Sequence, residues 1–511
     1  MRLLPAALRH RLPVSIRHHW RLVLVAIALI AAMIGLLGAY RVRPVVLAAG
    51  PEEDQSATVD VPGTVDLFDL AVPHSITLIF SQDAYERMVA SYRSSGEKEF
   101  VEAELVIDGT ALHSVGIRLK GNSTLRTLGG TSGGQVPGGQ VPGGQFPGGA
   151  TLSFDAPEEL PWLISFDHFV ENRRYQGHEN LALRPAGQAG STLNEAVATT
   201  LVGMAGEPTQ RWNYSSLNVN DRPATTRLVL EVPDKPYANS LGNGVLYKAL
   251  STSSFTYQGE DPTEYADDFD QINRRGSQDL QPVIDLVRWV SEATDEEFAA
   301  RLGEHVDVES FAHYVALQNL LLNFDDMAGP GRNYYLFYDL DTRLFSVITW
   351  DLNLAFSSDP QLGPLESAAM GGFPGGGQFP GGGQLPGGGQ FPGGGQLPGG
   401  GQLPGGAQFP GGGQFPGGGQ GGRPQGGGFS SGNRLKERFL AADAFRQTYL
   451  DAYRELYSLT YASGAALDAL DAAVWAARSG GATVADPQVE SLRSIITSRT
   501  AALAADPDVI G

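Results

Sequence analysis

Two runs of glycine, proline and glutamine interrupt this chain, and they constrain its fold more than anything else in it. Gly129–Gly149 contains GGQVPGGQVPGGQFPGG, and Gly371–Gly428 holds many copies of Q-(F/L)-P-G-G-G. Glycine loses the most conformational freedom on ordering, and proline withholds a backbone donor. Segments built from both cannot form a packed core, and so short a repeat is no solenoid unit. Any globular body must be assembled from the chain on either side. The runs read as surface inserts, while their regular Phe and Leu leave open an assembly role with envelope or matrix partners. Each follows a polar motif described below, so if those motifs meet in space, both inserts emerge near one rim.

The start of the chain has its own signature. Val23–Tyr40 is an uncharged apolar run, preceded by five arginines and followed by Arg41 and Arg43. Its length is near the minimum for a helix that spans the hydrocarbon core. The arginine bias predicts a cytoplasmic tail at 1–22, a transmembrane anchor at 23–40 and a body outside a bacterial cell membrane. A cleaved signal peptide is the alternative. Its apolar stretch is usually shorter, and here two arginines stand between that stretch and the small residues Ala48 and Ala49. The polar, acidic segment that follows, within 41–73, reads as a tether.

The 511 residues are 42% hydrophobic, enough for a sizeable core. There are no cysteines, which excludes disulfides, thiolate zinc sites, iron–sulfur clusters and thiol catalysis. The formal net charge is −20, and the basic residues of the first fifty positions are all arginines with no acid among them, so the body is more acidic still. Such a body is a poor partner for nucleic acid, whose binding runs on Lys and Arg. It suits divalent cations or a basic protein substrate.

Hydrophobic periodicity places the elements. SITLIF alternates as a strand, and Asp83–Tyr92 has helical spacing. AELVIDG and HSVGIRLKG read as a hairpin turned at Asp108-Gly109. LPWLISFD, ENLALRP, SSLNVN, TRLVLEV and GVLYKAL read as strands. Ser191–Met204 reads as a helix with Thr192 and Glu195 as its capping box. Helices are predicted around Leu280–Ala293, Thr294–Gly303 and Val308–Asn323. NYYLFYDL and LFSVITWDL form a hairpin turned at Asp341-Thr342, and Leu435–Ala462, Ala465–Ala477 and Asp486–Ala505 look helical. The class is α+β, with a strand-rich first half and a helix-rich second half.

Motifs for zinc proteases, nucleophile-elbow hydrolases, Walker loops and dinucleotide folds are absent, and the nine histidines show no ligand spacing. Three polar stretches remain. GIRLKGNST ends an alternating strand at Lys120; a solvated strand-end lysine is one reading, a phosphate contact the other. LLNFDDMAGPGRNYY places Asp325 and Asp326 after a helix, where acids oppose the macrodipole, and opens a strand at Asn333. ITWDLNLAF sets Asp351 in an apolar run. Two acids and an amide so arranged match what phosphoryl transfer needs: one carboxylate for the acceptor hydroxyl, an amide and a carboxylate for Mg²⁺ or Mn²⁺.

In order along the chain, VGIRLKGNST, LVLEV with GVLYK, LLNFDD with NYYLFYDL and ITWDLNLAF, and a helical tail beginning NRLKERFL resemble the CotH-type spore-coat protein kinase family. The resemblance covers roughly 74–507, interrupted by inserts at 129–149 and 371–428. It implies a diverged, atypical protein-kinase-like fold that uses ATP and Mg²⁺ or Mn²⁺ to phosphorylate Ser or Thr of other proteins. By the same resemblance, Lys120 contacts phosphates and Asp325 is the catalytic base, with Asp326 as the fallback. Asn333 and Asp351 hold metal. Glu231 and Lys248 fall at the nucleotide cleft, and Glu195 pairs with Lys120. The family usually reads WDLD where this chain has Asn353, a weaker metal ligand. That departure leaves two readings open: an outward-facing Ser/Thr kinase acting on a basic, Ser-rich protein, or a non-catalytic pseudokinase that binds or assembles at the cell envelope.

Overall fold

The computed structural model describes residues 58–121, 125, 128, 152–185, 189–368 and 432–510. The predicted anchor at 23–40 and both Gly-rich inserts lie outside them. Among the described residues no helix is long and apolar enough to cross a membrane.

The first half is built from short strands: β1 (Val59–Val61), β2 (His74–Ile79), β3 (Val101–Ile107), β4 (Thr110–Leu119), β5 (Trp162–Ser165), β6 (Arg173–Tyr175), β7 (Asn180–Leu183), β8 (Trp212–Val219) and β9 (Thr225–Glu231). Seven of them close into a barrel in the order β2-β3-β4-β5-β7-β9-β8. The alternation seen in the sequence is real: β2 and β3 bury every second residue. The inward set, including Ile76, Leu78, Leu105, Ile117, Trp162 and Leu217, fills the barrel. The β3–β4 turn uses Asp108 and Gly109, both at positive φ, as a two-residue hairpin requires. Closure comes from the parallel pairing of β2 with β8, His74 against Ser215, which no local pattern announces. Helix α1 (Gln82–Ser95) begins at Ser81, whose side chain accepts from the Ala84 N–H, and stops at Gly96 in the left-handed conformation.

The ordered body starts earlier than the patterning at Ile76 suggests. Within the stretch expected to be a tether, β1 pairs with β6, and Leu67 and Phe68 are buried. Helix α2 (Ala189–Met204) likewise starts before Ser191. Thr192 therefore lies inside the helix rather than at the expected cap position, and the Glu195 carboxylate is engaged by Arg184.

After the short helix α3 (Lys235–Ser240), a second sheet carries strands β10 (Gly244–Ala249), β11 (Phe269–Gln271), β12 (Tyr334–Asp339) and β13 (Phe345–Thr349), ordered β11-β10-β12-β13. Helices α4 (Gln281–Glu292), α5 (Asp295–Arg301) and α6 (Val308–Leu320) precede its hairpin, and α7 (Arg434–Ala441), α8 (Asp443–Tyr457), α9 (Ala465–Ser479) and α10 (Asp486–Ala504) follow it. The capping box at the start of α5, Thr294 with Glu297, is present as predicted. One large apolar core joins α2, the sheet and these helices through residues such as Leu201, Leu336, Phe311, Tyr453 and Leu470. The observed class is α+β, strand-rich first and helix-rich later.

Candidate active site

Strand register decides which side chains meet. In the β12–β13 hairpin Tyr334 stands opposite Thr349, so Asn333 and the Trp350-Asp351 pair leave the sheet at the same end. Lys248 of β10 lies opposite Tyr335, which lies opposite Ile348. Side chains two apart share a strand face, and Leu246, Tyr335, Ile348 and Trp350 form one apolar cluster. Lys248 extends that face, its Nζ 5.9 Å from the centroid of the Trp350 ring. Lys120 arrives from the barrel at the end of β4, its backbone N–H bonded to Pro161 O, and its Nζ lies 4.9 Å from the same ring.

Arg184 completes the group. It follows β7 and continues the ladder by donating its N–H to Leu228 O at 2.9 Å. Its guanidinium bonds Glu195 through Nε at 2.6 Å and again through Nη2, which also reaches Asp351 Oδ1 at 2.6 Å. Burial works against the Arg184 charge, but Asp351 and Glu195 outweigh it and hold the guanidinium cationic. Glu195 shifts upward because burial exceeds the pull of Arg184. The predicted Lys120–Glu195 pair is thus replaced by Arg184–Glu195. Burial, then the charges of Lys248 and Arg184, push the Lys120 pKa well down against the opposing pull of Asp351. Lys248 is lowered too, chiefly by burial. Behind them Arg118 stacks on Phe100, and burial beside Arg118 and Lys248 brings Lys98 down to about 8.

Asp351 adopts a left-handed backbone at φ 57° and makes no helix-capping bond, so it caps nothing. Its carboxylate binds Arg184 and stays 28% exposed, leaving its second oxygen available to a ligand. Asn353, two residues on, is half-buried and makes no side-chain hydrogen bond among the described residues.

The loop after α6 supplies the facing acid. The helix ends at Leu320, earlier than the predicted Asn323, so Asp325 and Asp326 lie beyond its last turn. Gln318 ties this region down by bonding Asn323 and the Thr349 hydroxyl, and Phe356 N–H bonds Leu321 O at 2.7 Å, joining the loop to the segment after Asp351. Asp325 is buried. Its Oδ1 accepts from Gly331 N–H at 2.5 Å and its Oδ2 from Asn333 Nδ2 at 3.0 Å. Burial pushes its carboxyl up to about 6; the Gly331 N–H opposes this, and the negative charges of Asp351 and Asp326 reinforce it. Asp326 differs: it is ion-paired with Lys436 of α7 and accepts from Ala328 N–H.

Of the predicted residues, then, Lys120, Lys248, Glu195 and Asp351 are gathered around Trp350 and Arg184, while Asp325, bonded to Asn333, feels the Asp351 charge. Glu231 is engaged elsewhere, by His178 at 3.3 Å and the Arg211 N–H at 3.0 Å. Arg184, Arg118 and Lys98 are additions. For Arg118 a signal existed, since it alternates by two with Lys120 on β4. A cavity of about 210 Å³ lined by Thr199, Gly203, Thr209 and Trp212 contains none of these groups.

No group of three His, Asp or Glu side chains converges as a metal cluster among the described residues. The donors at hand are the Asp351 carboxylate and the carbonyl oxygens of Asn333 and Asn353. Hard oxygens with a single carboxylate fit a Mg²⁺-type ion that draws its remaining ligands from phosphates and water.

The arrangement sets Lys120, Lys248 and Arg184 around the Trp350 ring, ties Asp351 to Arg184, and leaves the buried Asp325 carboxylate within reach of the Asp351 charge. The chain belongs to the CotH family, its residues 148–488 matching the family model for CotH kinase protein. Kinases in general use ATP and a divalent metal. No curated protein matches the chain. Lys120 lies before the matched residues, so its assignment rests on its position over Trp350.

Proposed function

We propose that the chain is a protein kinase with a diverged kinase-like fold, transferring the γ-phosphoryl group of ATP to Ser or Thr of a basic protein substrate. What supports this reading is that the buried Asp325 feels the charge of Asp351, which Arg184 joins to the lysines around Trp350. Asp325, pinned by Gly331 and Asn333 and with its carboxyl near 6, is a base matched to neutral pH. It accepts the acceptor hydroxyl's proton while that oxygen bonds to the γ-phosphorus and the β–γ bridging bond breaks, releasing ADP. Lys120 and Lys248 hold phosphate oxygens. Asp351, Asn333 and Asn353 would hold the divalent cation, which neutralises phosphate charge. Asp326 is locked to Lys436, which favours Asp325 as the base.

The anchor at 23–40, an outward-facing body and envelope partners for the inserts belong to the same proposal, supported by the arginine-flanked apolar run. Protease added to intact cells should then cleave the Gly-rich inserts. The main test is phosphotransfer from labelled ATP by the purified full chain, with Mg²⁺ or Mn²⁺, on itself and on a basic Ser-rich protein. Asp325→Asn and Asp351→Asn should each abolish labelling. Equal labelling by wild type and variants would refute the kinase reading. ATP binding without transfer under either metal would favour the second reading, a pseudokinase binding module, to which Asn353 points.

A further inference from the structure

The cation wall is out of balance with the acids that face it. Lys120 and Lys248 are half-buried, and among the described residues neither side chain makes an ion pair or a hydrogen bond. Their polar contacts are with aromatic rings: Trp350 for both, and Tyr335 at 6.0 Å for Lys248. A ring face attracts an ammonium but carries no compensating charge. A third cation, Arg184, has its carbon centre 6.0 Å from the same indole. Arg184 also removes the obvious counter-ions, because it takes both oxygens of Glu195 and one of Asp351. Arg118 adds a further positive charge to the field at both lysines. Asp270, on neighbouring β11, is the other acid acting on Lys248, and it is exposed and paired with Arg275.

Two ammonium groups and a guanidinium held beside one ring, with the Asp351 charge already shared with Arg184 and Asp270 paired with Arg275, make a receptor short of negative charge. The chain as a whole carries −20, so general attraction of anions does not explain this wall; its sign is a local inversion. The metal side is correspondingly weak. Asp351 already shares its charge with Arg184, and Asn353 is neutral. In the common kinase arrangement one lysine and the metal ions divide the phosphate charge. Here the division is shifted toward side chains.

We infer that this pocket binds a polyphosphate directly on Lys120 and Lys248 without a divalent metal, so that nucleotide association and metal association are separable events. The inference rests on the nucleotide-using reading above and specifies how that site recognises its ligand. Its test is binding of ATP, inorganic tripolyphosphate and AMP to the purified full chain by calorimetry, in excess EDTA and in Mg²⁺. ATP and tripolyphosphate should bind in EDTA with a Kd within about fivefold of the Mg²⁺ value, and AMP much more weakly. Lys120→Gln and Lys248→Gln should each weaken binding in EDTA by about tenfold or more, and added NaCl should weaken it in wild type. Thermal melts confirm that the variants fold, and Lys248→Arg, which keeps the charge, should retain binding in EDTA. Binding that requires Mg²⁺ overturns this inference and leaves the kinase reading standing. Absence of ATP binding under both conditions overturns the kinase reading. If tripolyphosphate still binds in EDTA in that case, the anion pocket survives it.

Discussion

Asp326 is ion-paired with Lys436, and the bond joins the loop that carries Asp325 to helix α7, the first element after the second Gly-rich insert. The carboxylate is 3% exposed and the ammonium 18%. Removing one member of a buried pair strands the other, at about 3–5 kcal/mol. Lys436→Met should therefore lower stability by about that amount, read as the midpoint of chemical unfolding. The double variant Asp326→Asn/Lys436→Met should lose clearly less than the two single losses added together. Strict additivity would mean that the pair is not coupled.

Gly331 is pressed against the acid it bonds. A Cβ there would sit 2.6 Å from Asp325 Oδ2 and 2.7 Å from Asn333 Nδ2. Gly331→Ala must displace the carboxylate or the amide, at a cost of about 1–3 kcal/mol in stability. Because Asp325 is the proposed base, turnover should fall far more than stability, while ATP affinity stays near wild type. A variant with full phosphotransfer would show that the Asp325 geometry is not critical.

Buried His74 sets a pH dependence at the barrel end. Its Nδ1 meets Asp108 Oδ2 at 2.7 Å and its Nε2 meets Asp69 O at 3.0 Å, both acceptors, so the imidazolium alone satisfies both. Burial lowers the His74 pKa, but the bonds to Asp108 and Asp69 overcome it and the net shift is upward. A histidine raised above its unfolded value stabilises fully below about 6.5, and the gain is lost as pH rises through the folded value. Asp108 is shifted downward against burial, so its share is lost as pH falls through its own depressed value. The stability difference between wild type and His74→Gln should be about 1.5–3 kcal/mol near pH 5–6 and shrink toward alkaline pH. A difference that is flat across that range would contradict the charged assignment.

Turn chemistry made the local parts of this fold legible. Asp108-Gly109 and Asp341-Thr342 each announce a hairpin, and the second one brings Asn333 and Asp351 to the same end of the sheet. The barrel was illegible for the opposite reason: β2 pairs with β8 across a stretch that includes the first insert, and period-two alternation carries no information about a distant partner. At the site, Lys120, Asp325, Asn333 and Asp351 stood out because polar residues at strand and helix ends need an explanation. Arg184 did not, since one arginine after the apolar ENLAL has no spacing to recognise. The demand for it was visible only in its partner, because Glu195, the one charged residue of its helix, requires a cation. Glu231 shows the converse: its place in the cleft was read from its position in a motif, while its carboxylate is taken up by His178.

Asn353 is the position where one atom should change the balance of the site. It lies in the short turn Leu352–Leu354 after Asp351, half-buried, with no side-chain partner among the described residues. Asn353→Asp therefore breaks no hydrogen bond, and as a partly exposed change it should alter stability by about 0.5 kcal/mol or less. It adds a full negative charge to a donor set that now holds one carboxylate and amide oxygens. Affinity of hard cations rises with ligand charge, so Mn²⁺ binding should tighten by about tenfold. The same charge opposes the phosphates, so tripolyphosphate binding in EDTA should weaken while ATP binding in Mn²⁺ strengthens. Mn²⁺ titration by electron paramagnetic resonance, run on wild type and variant, reads the first effect directly. Unchanged Mn²⁺ affinity would place Asn353 outside the metal's reach and leave Asp351 and Asn333 as the donors.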